Sequence, residues 1–230
     1  MLWRFLQHRL SLPPHAVVLH IAPEPVLARW FRKRAARYVA GDLATLPADV
    51  LLDVTALPFA TDTFHAICCV HVLEHVRDDL GAMRELYRVL KPGGWAFLST
   101  PHDASRRDTV EDEAITTPEG RLAAFGQDDH LRVYGLDLAD RLRRARFEVE
   151  WTEYARTLPA SEFGRQRLET HAVIVGRKDL LLEAHAAARS RPLVTLPATE
   201  GYRSPPPGRG QRPPERVGIG DPHEVAGEGE

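Results

Sequence analysis

Residues 53–101 read DVTALPFATDTFHAICCVHVLEHVRDDLGAMRELYRVLKPGGWAFLSTP, and this stretch decides the fold. His65–Val72 is nearly continuous in apolar residues apart from its histidines, as a strand covered on both faces must be. Asp78 or Asp79 can cap a helix that runs to about Leu90 and turns Leu80, Met83, Leu86, Tyr87 and Leu90 inward. Pro92-Gly93-Gly94 stops that helix, and Trp95–Thr100 supplies the next strand. Strand, helix and strand in this order, with polar residues at the strand ends, describe an open α/β sheet whose ligand lies beyond the carboxyl ends of its strands.

The same alternation extends in both directions. Ala16–Ala22 (AVVLHIA) is a short β-branched run between Pro13-Pro14 and Pro23, which suits a buried first strand. Glu24–Arg37 follows as a helix with Leu27, Trp30, Phe31 and Ala35 on one side, while Arg29, Arg32, Lys33 and Arg37 make a solvated basic face. Tyr38–Ala40 is a second strand ending at Gly41-Asp42, and Val50–Val54 a third ending near Asp53. After a polar stretch, Leu136–Arg144 resumes as a helix, and Phe147–Trp151 and Thr170–Gly176 as strands. The inventory predicts an α/β, Rossmann-like sheet of seven mostly parallel strands, one late strand antiparallel, with helices on both faces.

Composition narrows the setting. A chain of 230 residues has room for one sizeable domain. Its formal charge of -2 gives no global reason to expect nucleic acid or an anionic membrane as partner. The two cysteines, Cys68 and Cys69, are adjacent, which excludes an easy disulfide between them and any metal-ligand spacing, and they read as buried strand thiols. The segment MLWRFLQHRLSLPP is broken by Arg4, Gln7, His8 and Arg9 and lacks a signal-peptide core. No apolar run approaches the roughly 18 residues that span a bilayer, so a cytoplasmic setting is expected. The domain is expected over residues 15–178, behind an N-terminal segment, 1–14. Residues 179–230 are expected to hold a short Ala-rich helix and a disordered tail, since 191–230 carry 8 of the 18 prolines and 7 of the 16 glycines.

The segments LDVTALPF, VLEHV and RVLKPGG together resemble the core of class I S-adenosylmethionine-dependent methyltransferases, of the kind grouped as methyltransferase type 11. The resemblance covers about residues 15–176. It implies S-adenosyl-L-methionine as cofactor and direct methyl transfer to a small-molecule acceptor, with neither nucleic acid nor membrane as partner. It further implies that Asp42 accepts both ribose hydroxyls and that Asp53 accepts from the adenine amine. The Val54 amide would contact the adenine ring, and Leu43 and Val54 would supply apolar surface at its edge. Ala22, Pro23, Glu24 and His71 would border the methionine half, and residues 109–135 would wall the acceptor.

The first loop, LHIAPEP, departs from that family's pattern. His20 stands where an acid is usual, and Ala22-Pro23-Glu24 replace glycines, so Pro23 has no amide to donate and side chains limit close approach. The loop is either a working variant or the mark of a non-catalytic binding or interaction protein on the same fold. Pro23 and Glu24 also start a helix well without any ligand. His65, replacing the acid usual after Phe64, reads as structural. A nicotinamide dehydrogenase would need GxGxxG in this turn, and none is present.

Proton-transfer candidates are His71 and His130. Glu74 and His75 either meet the acceptor or hold a helix start together. Residues 109–135 concentrate Glu111, Asp112, Asp129, His130, Arg132 and Tyr134, which form either an acceptor wall or a lid packed by its own ion pairs. Asp129 can orient His130, or His130 can bond Glu111 or Asp112. No HExxH or similar spacing points to a metal.

Overall fold

The computed structural model describes residues 2–43, 48–152 and 173–180. The expected strand beginning at Thr170 is therefore described only from Val173. The Ala-rich segment after Leu180 and the Pro/Gly-rich tail lie outside the described residues.

Seven strands form one sheet in the order β3-β2-β1-β4-β5-β9-β8. They are β1 (Val17–Ile21), β2 (Arg37–Asp42), β3 (Val50–Leu51), β4 (Phe64–Val70), β5 (Leu90–Ser99), β8 (Glu148–Thr152) and β9 (Val173–Arg177). The first five are parallel to one another, and β9 runs antiparallel to both β5 and β8. A separate two-stranded ribbon, β6 (Val110–Glu111) with β7 (Arg132–Val133), brackets helix α4 (Pro118–Phe125).

The pleat of β1, β4 and β5 divides the core in two. On one face Leu19, Ile21, Ile67, Cys69 and Leu98 pack with Met83 and Leu86 of α3 (Asp79–Val89) and with Leu138 and Leu142 of α5 (Leu138–Arg144). On the other, Val18, Cys68 and Phe97 meet Phe5 and Leu6 of α1 (Leu2–Arg9) and Leu27 and Phe31 of α2 (Pro25–Arg32). Each such side chain contributes about 1.5–3 kcal/mol by leaving water. The Trp95 indole N–H donates to the Ser11 carbonyl at 3.1 Å, tying the N-terminal segment to the sheet.

Several boundaries differ from the sequence reading: β3 stops at Leu51 rather than Val54, and two further differences have a clear cause. Helix α2 ends at Arg32 rather than Arg37: the Arg34 and Ala35 amides both donate to the Phe31 carbonyl, closing the helix, and Arg37 is already paired with Val17 in the sheet. Helical periodicity through Ala35 is overridden by sheet pairing. The Pro92-Gly93-Gly94 run does not stop α3, because Leu90 is already extended and the run is an irregularity inside β5. Glycine is required there: Gly93 has φ +76°, and a Cβ on Gly94 would lie 2.8 Å from the Lys91 carbonyl oxygen. Asp78 caps α3, its Oδ1 accepting from the Gly81 amide at 2.8 Å.

Candidate functional site

The strand order reverses between β1 and β4, the place where open α/β sheets leave a crevice at their carboxyl ends. Pairing of Ile21 with Gly41 on one side and with Cys69 on the other sets Ala22 between the end of β2 and the end of β4. Ala22 has φ 47° and His71, just past β4, has φ 53°. A left-handed backbone costs an ordinary residue of order 1–3 kcal/mol and persists where surrounding structure enforces it. The Ala22 amide donates to the Gly41 carbonyl at 2.8 Å, and the His71 amide to the Ser99 carbonyl at 2.8 Å, which is that enforcement.

Asp42 closes β2, and its carbonyl accepts from the Leu52 amide at 2.9 Å, so the loop carrying Asp53 lies beside it. Asp53 is exposed, and its Oδ1 accepts from both the amide and the hydroxyl of Thr55, an Asx turn that fixes the carboxylate. Leu43 is 73 % exposed, whereas Val54 is 5 % exposed and packs in the core. The expectation that both side chains offer apolar surface to a ligand is corrected for Val54: only its backbone remains available.

Glu24 is the N-cap residue of α2 and makes no side-chain cap. Burial pushes its carboxyl above the usual range, with the nearby His71 acting against that shift. His20 does not enter this crevice. It is fully buried, its Nδ1 lies 3.0 Å from the Tyr38 hydroxyl, and its ring packs edge-on against Phe31. Burial, aided by Arg32, lowers its pKa to about 4, so it is neutral at physiological pH. His65 accepts the Val17 amide on Nδ1 at 3.0 Å, a structural contact.

Beyond β4, residues Leu73–His75 make one 3-10 turn. Glu74 is completely buried. One of its carboxylate oxygens lies 3.3 Å from His71 Nδ1, and the other accepts from the Thr100 hydroxyl at 2.9 Å. Burial alone would raise its pKa, but the bonds from His71, its own backbone amide and Thr100 outweigh this and hold it below the ordinary range. His75 Nδ1 is 3.2 Å from Asp129 Oδ2, and the His75 and His130 rings meet edge-on with centroids 4.8 Å apart. Asp129 thus pairs with His75 rather than with its chain neighbour.

The remaining polar residues of 109–135 form an ion-pair network. Glu111 accepts from Arg132 Nε at 2.8 Å and also from Arg141, not from His130. Burial would raise the Glu111 pKa, yet the two guanidiniums hold it below its usual value. Arg132 also donates to the carbonyls of Leu73, Val76 and Arg77. Tyr134 donates to Asp79 Oδ2 at 2.9 Å, and Arg141 Nη1 donates to the same oxygen at 2.9 Å. Asp79, Thr100 and Arg141 were missed by sequence reasoning; each is an ordinary residue of a helix or strand until the fold brings it to its partner, 62 positions away in the case of Asp79 and Arg141. A cavity of about 310 Å³ opens among Arg77, Leu80, Asp112, Ile115, Arg121 and Leu131. No residue of the first loop or of the β2 and β3 ends lines it, so it belongs to the 109–135 side.

Among the described residues no helix is long and apolar enough to cross a membrane. Residues 9–98 match the family described as methyltransferase domain. A demethylmenaquinone methyltransferase from Streptomyces avermitilis is 52 % identical over 113 residues, an alignment spanning 43 % of this chain and 49 % of that protein. The chain thus spans about half the length of that relative. Among solved structures, an S-adenosylmethionine-dependent methyltransferase from Mesorhizobium loti superposes with a TM-score of 0.56 at 16 % identity, covering 76 % of this chain and 96 % of that one. A Burkholderia thailandensis 1,6-didemethyltoxoflavin-N1-methyltransferase, solved with its acceptor and S-adenosylhomocysteine, gives 0.52 at 18 % identity over 77 % and 76 % of the two chains. Residues 9–98 are thus similar to the methyltransferase domain family, and the mostly parallel seven-stranded sheet has the class I methyltransferase fold of these solved structures.

Proposed function

We propose that the protein is an S-adenosyl-L-methionine-dependent methyltransferase acting on a small-molecule acceptor. The observation that carries this is the pair of left-handed non-glycine residues, Ala22 and His71, on adjacent strand ends at the point where strand order reverses, with Asp42 beside them. In this reading Asp42 accepts the ribose hydroxyls, and Asp53 with the Val54 amide takes the adenine edge against exposed Leu43. Ala22, Pro23, Glu24 and His71 border the methionine half. The donor, when bound, supplies a sulfonium methyl group that an acceptor atom displaces directly. The chain's task is alignment, which can remove about 7–11 kcal/mol of barrier.

His71 is the proton acceptor best placed for an acceptor hydroxyl, because the anionic Glu74 holds its Nδ1 and orients the ring. Residues 109–135 shape the acceptor side. Similarity to a demethylmenaquinone methyltransferase supports testing quinol-type acceptors first. A second reading, a non-catalytic binding protein on this fold, is favoured by Pro23, which offers no amide where the donor's methionine end would lie.

Calorimetric titration with S-adenosylmethionine and S-adenosylhomocysteine separates the two. Charged hydrogen bonds contribute about 1.5–3 kcal/mol each, so Asp42→Ala is expected to weaken both ligands by roughly ten- to hundred-fold, with Asp53→Ala doing less because its carboxylate is shared with Thr55. Absence of binding by the wild-type chain would give the second reading its place.

A further inference from the structure

We infer that Glu74, His75 and His130 form a binding site for a divalent transition-metal ion of the zinc type, oriented by Asp129. One ligand atom from each of the three lies within 4.8 Å of the others. Ligands at about 2.0–2.1 Å from a shared ion stand up to roughly 4 Å apart, so modest side-chain rotation closes the set.

An independent observation points to a ligand here. His130 is 4 % exposed, and its Nδ1 is buried without a hydrogen-bond partner among the described residues. An imidazole nitrogen in that state lacks the partner that buried polar atoms almost always have, and an ion beside Glu74 supplies one. Glu74 can accept it: His71, Thr100 and its own backbone amide use three of the carboxylate's roughly four lone-pair sites, which leaves one for the ion. Asp129 Oδ2, 3.2 Å from His75 Nδ1, fixes that ring as carboxylates do behind metal-bound histidines and assigns Nε2 to the ion.

Two imidazoles and one carboxylate suit zinc, cobalt, nickel or ferrous ions rather than magnesium or calcium. Three protein ligands leave a coordination position for water or an acceptor oxygen. The ion also ties the turn after β4 to the residue before Leu131, whose amide already donates to the Glu74 carbonyl at 2.9 Å. The site was invisible in the sequence because His130 stands far along the chain from Glu74 and His75, outside any short ligand motif.

The test uses the full chain, stripped with chelator and without methyl donor, so its outcome is independent of the donor reading. Zinc is titrated calorimetrically, and cobalt is followed by its visible absorption. One saturable zinc per chain is expected, with affinity falling at least ten-fold in His75→Ala and in His130→Ala, and about ten-fold in Asp129→Asn. Should His130→Ala not fold, His75→Ala decides, since His75 is exposed. No saturable binding by the wild type, or binding unchanged in His75→Ala and so due to other histidines, overturns the inference.

Discussion

Replacing Arg141 with methionine is expected to lower the free energy of unfolding by about 3 kcal/mol, the lower end of what breaking a buried ion pair costs. Asp79 is 4 % exposed and loses its cationic partner, keeping only the Tyr134 hydroxyl on Oδ2. Methionine retains an apolar stem near the Tyr134 ring, over which the guanidinium now lies at 5.9 Å. The effect is therefore electrostatic rather than a cavity. Glu111 keeps Arg132, which limits the damage at the exposed end of the network. The check is a double-mutant cycle by urea denaturation: Arg141→Met with Asp79→Asn should cost clearly less than the sum of the single changes. Additive losses would mean that the pair is not coupled and that Arg141 acts through Glu111, or through Asp137, whose Oδ2 accepts from the Arg141 Nε at 3.2 Å.

The second large effect concerns acid. His20 is neutral in the fold because burial, then Arg32, lowers its pKa from 6.5 to about 4. In the unfolded chain the same imidazole takes up a proton near 6.5. The unfolded state therefore binds more protons between these values, and stability falls as pH falls from 6.5 to 4, being fully present above that window. The difference is worth about 3 kcal/mol across the window. Denaturation of wild type and His20→Leu at pH 7 and pH 4.5 isolates the contribution from that of other groups. The variant should lose about 2–3 kcal/mol less on acidification than the wild type. Equal losses would show that His20 gains a proton within the folded protein.

Much of the architecture was legible because its determinants are local. The unbroken apolar run of β4, the capping Asp78 and the β-branched β1 each specify an element without reference to the rest of the chain. Parallel pairing then follows from alternation of strands and helices, and the fold class with it. Where a local rule met a tertiary demand, the local rule lost: Ala35 continues the helical period, yet the chain must turn to bring Arg37 beside Val17. Gly93-Gly94 reads as a helix stop but serves a bulge in β5. Likewise Val54, expected to offer its side chain to a ligand, is held in the core beside Leu52 and Leu57.

The candidate site was legible only along the strand ends. Asp42, Asp53 and His71 follow directly from where strands stop, since a parallel sheet collects its carboxyl ends on one rim. The partners of those residues did not follow. Thr100 reaches Glu74 from the next strand, and Asp129 chooses His75 over His130, because side-chain pairing across 26 or more residues depends on register and turn geometry that no periodicity encodes.

The neighbours Cys68 and Cys69 carry a consequence for how opening of this molecule can be watched. Alternation along β4 sends Cys69 into the layer under α3 and Cys68 into the layer under α1 and α2. Both thiols are buried, and burial pushes both well above the range in which thiolate forms. Neither can meet an alkylating reagent until its own layer lifts from the sheet. Two adjacent atoms of sulfur therefore act as separate clocks, one for each side of the molecule, and a difference in their rates of modification tells which layer peels away first.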